Sequence, residues 1–470
     1  MTNLITTDHK RLIVGMGQTG VSCARFLTAK GLSFDLCDTR EALPNQNEIA
    51  AEFSSSQIIN GALDGAVLAQ YQELIVSPGI AIAEPAIAFA ISQGSRVRGD
   101  VDIFAEYVTK PIVAITGSNG KSTVTTLVGE ILTAAGHKPA VCGNIGIPVL
   151  DVLLNDDDYQ CYVVELSSFQ LETTHHLAAE VACVLNLSED HMDRYDSMMS
   201  YHQAKHRVFQ GCRSIVINRE DSLSQPLVSD AMPKRSFGLA MADNAVAASN
   251  QYSIAKLQNE NIALENGEYL MFQQQAVFPV AELKIKGRHN QLNALAAIAL
   301  VESLPESFDV SNDVLQQVLS TFSGLPHRCA WVARQKGVDY FNDSKGTNVG
   351  STLAAIEGLA TENSKKIILI AGGVGKDQDF VPLADACDKS VKQAILFGRD
   401  AQQIGKDLRD CTDLAQVDTL ADALSLARLN ASEGETVLFS PACASFDQFS
   451  NYVKRGEAFE SLVLEVDDDS

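Results

Sequence analysis

The segment that most restricts how this chain can fold is TGSNGKST, Thr116 to Thr123. It lies between the apolar run Pro111-Ile-Val-Ala-Ile-Thr116 and a helical pattern. In that pattern Val124, Leu127, Val128, Ile131, Leu132 and Ala135 fall on one face, and Gly136 stops it. A glycine loop between a strand and a helix turns backbone amides toward an anion, and the helix dipole favours negative charge there. Lys121 would place its ammonium on the outer phosphates and Ser122 would offer a hydroxyl to Mg²⁺. The spacing departs from the general Walker pattern, because Ile115 stands where that pattern has glycine and the loop is shorter.

Two further stretches repeat the strand, glycine turn and helix order. The first is Leu12-Ile13-Val14, then GMGQTG (Gly15 to Gly20), then an apolar helix pattern to Lys30-Gly31, with a second strand ending at Cys37-Asp38. In the other, KKIILIAGGVGK and QAILFG read as strands, and ETVLFSPACASFDQF as a strand entering a loop and helix. Such alternation predicts an α/β protein with parallel sheets covered on both faces. A length of 470 residues fits three domains. Breaks near Gly99-Asp100 and within SGLPHR (Ser323 to Arg328) divide the chain into 1–100, 101–324 and 325–470.

GMGQTG with Asp38 at the end of the next strand also fits a dinucleotide fingerprint, so an NAD-linked oxidoreductase competes at this point. The fingerprint specifies a diphosphate at a helix N-terminus, not nicotinamide, and a merely structural tight turn is a further alternative. Glu165 ends the strand CYVVEL and His191 follows ACVLNL, so both project where open α/β sheets bind ligands. They could hold a metal whose identity these residues leave open, and a lone histidine is more often structural. Lys205, in YHQAKHRVF, reads by itself as one cation on a solvated helix face. NDSKGTN (Asn342 to Asn348), AGGVGK ending in Lys376, and SPACASFDQF are three polar loops at strand ends, suggesting a site on the third domain or ordinary connections.

Composition excludes several classes. No apolar run approaches the roughly 18 residues of a membrane span, and MTNLITTDHKRLIV lacks a signal-peptide pattern, which favours the cytoplasm. Ten scattered cysteines form no CxxC pair, so they read as small buried hydrophobes. The net charge of −23 argues against nucleic acid and anionic membranes as partners. Asp467-Asp468-Asp469 reads as a solvated terminus.

Together GMGQTG, SPGI, TGSNGKST, GNIGIP, VELSSFQLE, EDHMDRY, YHQAK, GRHNQLNALAA, GLPHR, NDSKGTN, AGGVGK and SPACASFDQF resemble the Mur ligase family of peptidoglycan synthesis. They run in family order from residue 15 to residue 449, and SSFQLE, NDSKGTNVGST and SPACASFDQF point to its D-glutamate-adding branch.

The resemblance implies N- and C-terminal Rossmann-like domains around a central P-loop ATPase-type sheet, working as a cytoplasmic monomer. It implies ATP and Mg²⁺, with UDP-N-acetylmuramoyl-L-alanine and D-glutamate joined through an acyl phosphate. Gly15, Gly17, Gln18, Thr19, Asp38, Thr39, Arg40, Ser77, Gly79 and Asn144 match the UDP-substrate side. Gly117, Ser118, Asn119, Gly120, Lys121, Ser122, Thr123, Asn290, Asn293, Arg328 and Asp343 match the ATP side. Ser122, Glu165, His191 and Lys205 match the metal side, with Lys205 as a carbamate. Thr347, Lys376, Ser445, Phe446 and Tyr452 match the amino-acid side. Lys121, His191, Lys205, Arg328, Lys345 and Lys376 are the implied catalytic set. Val374 and Gly346 depart from the aspartate and alanine common in that branch. Other amide ligases of the family, including folylpolyglutamate synthetase, and a non-catalytic nucleotide sensor remain alternatives.

Overall fold

The first strand–glycine–helix unit begins at β1 (Arg11–Val14), whose last three residues are buried. The computed structural model describes residues 10–465 apart from 44, 156, 230, 240–250, 258–266, 273–274, 286 and 361–363. The N-terminal nine residues and the acidic tail Asp467-Asp468-Asp469 thus lie outside the described residues. With β2 (Asp35–Asp38), β3 (Ile58–Asn60), β4 (Glu73–Val76) and β5 (Arg96–Arg98), β1 builds a parallel sheet ordered β3-β2-β1-β4-β5. The order reverses between β1 and β4, which opens a crevice beyond their carboxyl ends. Helix Gln18–Ala29 starts there, packed so closely that a Cβ on Gly20 would lie 1.9 Å from the Gly15 carbonyl oxygen. Only glycine fits at that crossing.

The second sheet comprises β6 (Ile112–Thr116), β7 (Pro139–Gly143), β8 (Cys161–Glu165), β9 (Val181–Val184), β10 (Ser214–Asn218), β11 (Lys234–Phe237), β12 (Gln251–Leu257), β13 (Gly267–Phe272) and β14 (Gln275–Pro279). Its order is β14-β13-β12-β11-β10-β9-β6-β8-β7. β6 is buried throughout and lies between β9 and β8, so the glycine loop after it emerges at a second switch point. The helix that follows, Lys121–Ala134, buries Val124, Leu127, Val128, Ile131 and Leu132 completely, the face that the periodicity predicts.

The third sheet holds β15 (Ala330–Gln335), β16 (Val338–Asn342), β17 (Ile367–Gly372), β18 (Val391–Phe397), β19 (Asp413–Gln416) and β20 (Thr436–Phe439), ordered β15-β16-β20-β17-β18-β19. Three strand–loop–helix units therefore form three α/β layers. The expectation of wholly parallel sheets is corrected at two edges. β12, β13 and β14 pair antiparallel, as do β15 and β16. Only Lys336 and Gly337 join β15 to β16, both at positive φ, the backbone a two-residue hairpin turn requires. A parallel crossover needs a far longer connection.

The break at Gly99-Asp100 follows β5 and opens helix Asp100–Tyr107. Val101, Ile103 and Phe104 of that helix join one apolar cluster with Ile13 and Phe26 on the first sheet's side and Ile112 and Leu150 on the second's. All ten cysteines are free and eight are buried, as their apolar surroundings suggest.

Candidate active site

The glycine loop after β6 is set by two residues in conformations that side chains resist. Gly117 and Gly120 have φ of +152° and +81°, and a Cβ on Gly120 would sit 2.4 Å from Asn293 Oδ1. The loop thereby carries Gly120 against Asn293 on helix Arg288–Val301, and Asn293 Nδ2 donates to Asn290 Oδ1 at 3.1 Å. Gly120, Thr123, Asn290, Asn293, Arg328 and Asp343 line one cavity of about 150 Å³ between the second and third sheets' domains.

A second cavity, about 300 Å³, adjoins it. Ser118, Asn119, Lys121, Asn144, Glu165, His191, Lys205, Arg328, Lys345, Thr347, Lys376, Ser445, Phe446 and Tyr452 all line it. Residues from all three implied functional groups on the ATP, metal and amino-acid sides thus meet on one space. The ten implied UDP-side residues line a third cavity of about 400 Å³ above the first sheet, and Asn144 borders both.

Charge inside the second cavity is arranged by burial. Lys121 donates to the carbonyls of Gly117 and Ser118 at 2.8 and 2.9 Å, and burial lowers its pKa. Lys205 corrects its reading as a solvated cation: it is 2% exposed and donates to Gly117 O at 2.9 Å. Helix Met198–His206 turns that side chain inward beneath the loop. Burial, then the nearby Lys121 charge, push the Lys205 pKa well below the ordinary lysine value. Lys345, lying 4.0 Å from the Tyr452 ring centre, is pushed down to about 7 by burial with help from Arg328 and Lys121.

Glu165 is 1% exposed; its Oε1 accepts from Asn144 Nδ2 at 2.7 Å, while Oε2 is buried without a partner. An orphaned carboxylate oxygen beside a phosphate loop fits a divalent cation. His191, at φ +59°, is held by burial at about 4 and so presents a neutral imidazole. Ser122 Oγ lies 2.6 Å from Arg328 Nη2. Among the described residues no three His, Cys, Asp or Glu side chains converge as a ready metal cluster. The donor set therefore fits Mg²⁺ with Glu165, His191, Ser122 and substrate oxygens, and with Lys205 only once it carries a carboxylate.

Other placements adjust the sequence reading. Asp38 does not offer free oxygens to a ribose: it accepts from Met16 N at 2.7 Å, Arg40 N at 3.0 Å and Arg40 Nε at 2.7 Å. Burial alone would raise its pKa, but Arg40 and these amides hold it at about 2. It instead presents the half-exposed Arg40 guanidinium to the third cavity, a group suited to phosphate rather than a nicotinamide ribose. Asp343 has Oδ1 on Cys329 N at 3.0 Å and Oδ2 on Ser440 Oγ at 2.6 Å. Lys376 forms an ion pair with Asp190, a residue within EDHMDRY that sequence reasoning passed over. Asn348, the N-cap of helix Val349–Leu359, donates to Asp190 Oδ2 at 3.1 Å and to Asn119 Oδ1 at 3.2 Å. Spacing along the chain carried no signal for these partners, which lie 158 to 229 residues apart.

Comparison with known proteins covers nearly the whole length. The Mur ligase MurD-like N-terminal domain matches residues 9–99, the Mur ligase middle domain 115–301, and the Mur ligase glutamate ligase domain 327–443. The chain is 48% identical over 465 residues to a Pseudomonas fluorescens protein named UDP-N-acetylmuramoylalanine–D-glutamate ligase, covering 99% of this chain and 100% of that one. It is 47% identical over 465 residues to the protein so named from Pseudomonas aeruginosa, with the same coverage. Among solved structures, the MurF ligase of Thermotoga maritima in complex with ADP superposes with a TM-score of 0.55 at 12% identity, covering 96% of this chain and 94% of that one. The UDP-N-acetylmuramate–alanine ligase MurC of the same organism gives 0.54 at 17%, covering 96% and 98%. At such identities those structures speak for the fold alone.

Proposed function

The chain belongs to the Mur ligase family, and from that premise we propose the division of labour by which it adds D-glutamate to UDP-N-acetylmuramoyl-L-alanine with ATP, releasing ADP and phosphate. One observation carries the assignment of parts: the UDP-side cavity, the phosphate loop and the third domain's lysines meet at Asn144 and Glu165.

A carboxylate is a poor acyl donor, so the substrate's L-alanyl carboxylate first takes the γ-phosphoryl group of ATP. That transfer needs positioning and charge neutralisation more than covalent help. Arg40 and the Gly15–Gly20 turn would hold the UDP diphosphate, leaving the acyl end to reach past Asn144. Asn290, Asn293 and Asp343 line the space for adenosine, and the Gly117–Gly120 amides with Lys121 would take the phosphates. Arg328 approaches from the third domain, already within hydrogen-bond reach of Ser122. Glu165, His191, Ser122 and a carbamylated Lys205 would hold Mg²⁺, which when bound would neutralise phosphate charge.

Lys205 suits carbamylation because burial favours its neutral amine, the form that attacks CO₂. Lys345, Thr347, Lys376 and the Ser445–Phe446 turn would then receive D-glutamate. Its amine attacks the acyl phosphate, and Lys345 and Arg328 stabilise the negative charge of the tetrahedral intermediate. Asn348 and Lys376 pack on Asp190 and form one wall of this space; keeping water out of it would protect the activated acyl group from hydrolysis.

We place the enzyme in the cytoplasm, where ATP and uridine-linked precursors are made; no helix among the described residues is long and apolar enough to cross a membrane. The test uses substrate labelled with ¹⁸O in its carboxylate, together with ATP and D-glutamate. One label should pass to released phosphate; AMP as product, or label retained wholly in the peptide, rejects the acyl phosphate.

A further inference from the structure

Arg455 is the largest side chain buried below 2% exposure, and among the described residues no carboxylate lies within ion-pair distance of it, although Asp447 and Asp343 are near enough to favour its charge. It stands on helix Tyr452–Leu464, outside every cavity described above. Burial lowers its pKa to about 10, so the guanidinium stays charged at neutral pH. A buried charge without a carboxylate partner is costly unless its donors are satisfied by something the fold needs.

Its donors go to two loops that are far apart in sequence. Nη2 donates to Ser344 O at 2.8 Å and to Cys443 O at 3.0 Å, while Nε donates to Ser344 Oγ at 3.2 Å. Ser344 precedes Lys345, and Cys443 lies two residues before Ser445. Nη1 is buried and has no acceptor. It faces the third loop: a Cβ on Gly373 would lie 3.2 Å from Nη1 and 2.3 Å from Ala444 O. That glycine, at φ +129°, begins the turn leading to Lys376. The guanidinium thus lies where the three loops carrying Lys345, Lys376 and Ser445 come together.

We propose that Arg455 is a positioning residue for the amino-acid side of the site, its planar fork fixing the Ser344 and Cys443 turns at one separation while Gly373 packs against its edge. This rests on the reading that those loops receive D-glutamate. A lysine could not replace it in full: one ammonium can reach the two carbonyls that Nη2 serves, but the Nε bond to Ser344 Oγ and the rigid plane that holds all three acceptors together would be lost. Arg455 touches no substrate; it acts through Lys345 and Ser445.

The test compares wild type with Arg455→Lys and Ser344→Ala by steady-state kinetics for each of the three substrates, with melting temperature. Arg455→Lys should raise the D-glutamate KM about tenfold or more, the scale of one charge-assisted hydrogen bond. ATP and UDP-substrate KM values should change by less than about twofold, which is within a few tenths of a kcal/mol. Ser344→Ala, which removes the Nε acceptor together with the Ser344 Oγ bond to Tyr452 O, keeps both Nη2 bonds and should move the same constant in the same direction by less. If Arg455→Lys fails to fold, the Ser344→Ala result decides alone. Unchanged D-glutamate KM in a folded variant, or equal shifts in all three KM values, overturns the proposal. Wild-type enzyme that releases no D-glutamate-dependent phosphate would overturn the underlying reading first, and this one with it.

Discussion

Asn144 Nδ2 donates to Glu165 Oε1 at 2.7 Å, joining a wall of the cavity above the first sheet to the carboxylate beside the glycine loop. This bond leaves Oε2 as the free donor oxygen of Glu165. Asn144→Ala should therefore lower kcat by about tenfold or more, since a hydrogen bond to a charged group is worth roughly 1.5–3 kcal/mol. The concentration of Mg²⁺ giving half-maximal activity should rise as well. A magnesium titration of the variant that overlays the wild type would show that Glu165 needs no such orientation.

Lys205→Ala should remove most turnover yet still bind the UDP substrate, whose proposed cavity is lined mainly by the first sheet's loops and not by Lys205. Mass spectrometry of native enzyme kept in bicarbonate should find Lys205 heavier by one CO₂. Full activity in the variant, or an unmodified lysine in enzyme shown to be active, rejects the carbamate.

Arg328 reaches Ser122 across 206 residues of sequence, with Nη2 to Oγ at 2.6 Å. Arg328→Ala should reduce kcat/KM for ATP by about 10²–10³, the scale of one lost transition-state donor. The UDP-substrate dissociation constant, read by calorimetry, should stay as it was. A comparable loss of UDP-substrate affinity would instead indicate general collapse of the domain contact.

Lys376 has two jobs to separate, because it pairs with Asp190 and also lines the cavity proposed for the amino acid. Burial works to raise the Asp190 pKa, but Lys376 chiefly holds it at about 2. Lys376→Ala should lower the melting temperature by stranding that carboxylate, and raise the D-glutamate KM about 10- to 100-fold. Adding Asp190→Asn should recover stability without recovering the KM. Recovery of both would leave Lys376 a purely structural role.

Burial pushes Asp343 up to about 7, against the ordinary carboxyl value of 3.8, despite its bonds from Ser440 and Cys329. The folded state thus holds a proton there that the unfolded chain has released between those two values. Stability from this group is greatest at low pH and falls as pH rises toward 7. Melting temperatures of wild type and Asp343→Asn, compared from pH 5 to 8, should show the wild type losing ground to the variant as pH rises. A constant gap across that range contradicts the proton.

Local features were legible where a few neighbouring residues decide them. Positive-φ glycines at 15, 117 and 120, the apolar face from Val124 to Leu132, and Glu165 at a strand end all follow from short-range sterics and periodic burial. The hairpin at Lys336-Gly337 was readable in the same way and was missed, because strand–helix alternation elsewhere favoured parallel pairing. The family motifs supplied the rest of the residue groups, which their spacing alone would not have sorted.

What the sequence by itself determined, then, is three strand–loop–helix units, the phosphate loop and the residues available at each strand end. Tertiary structure alone decided which of those ends face one another. Arg455 meets Ser344 across 111 residues and Lys376 meets Asp190 across 186. Lys205 lies wholly beneath the phosphate loop although its own helix carries no marked apolar face. The reason is physical: backbone periodicity encodes burial over a turn or two, whereas a contact between loops depends on how rigid layers stack. Burial then sets which amine is neutral, which carboxylate holds its proton and which oxygen is left free for a ligand.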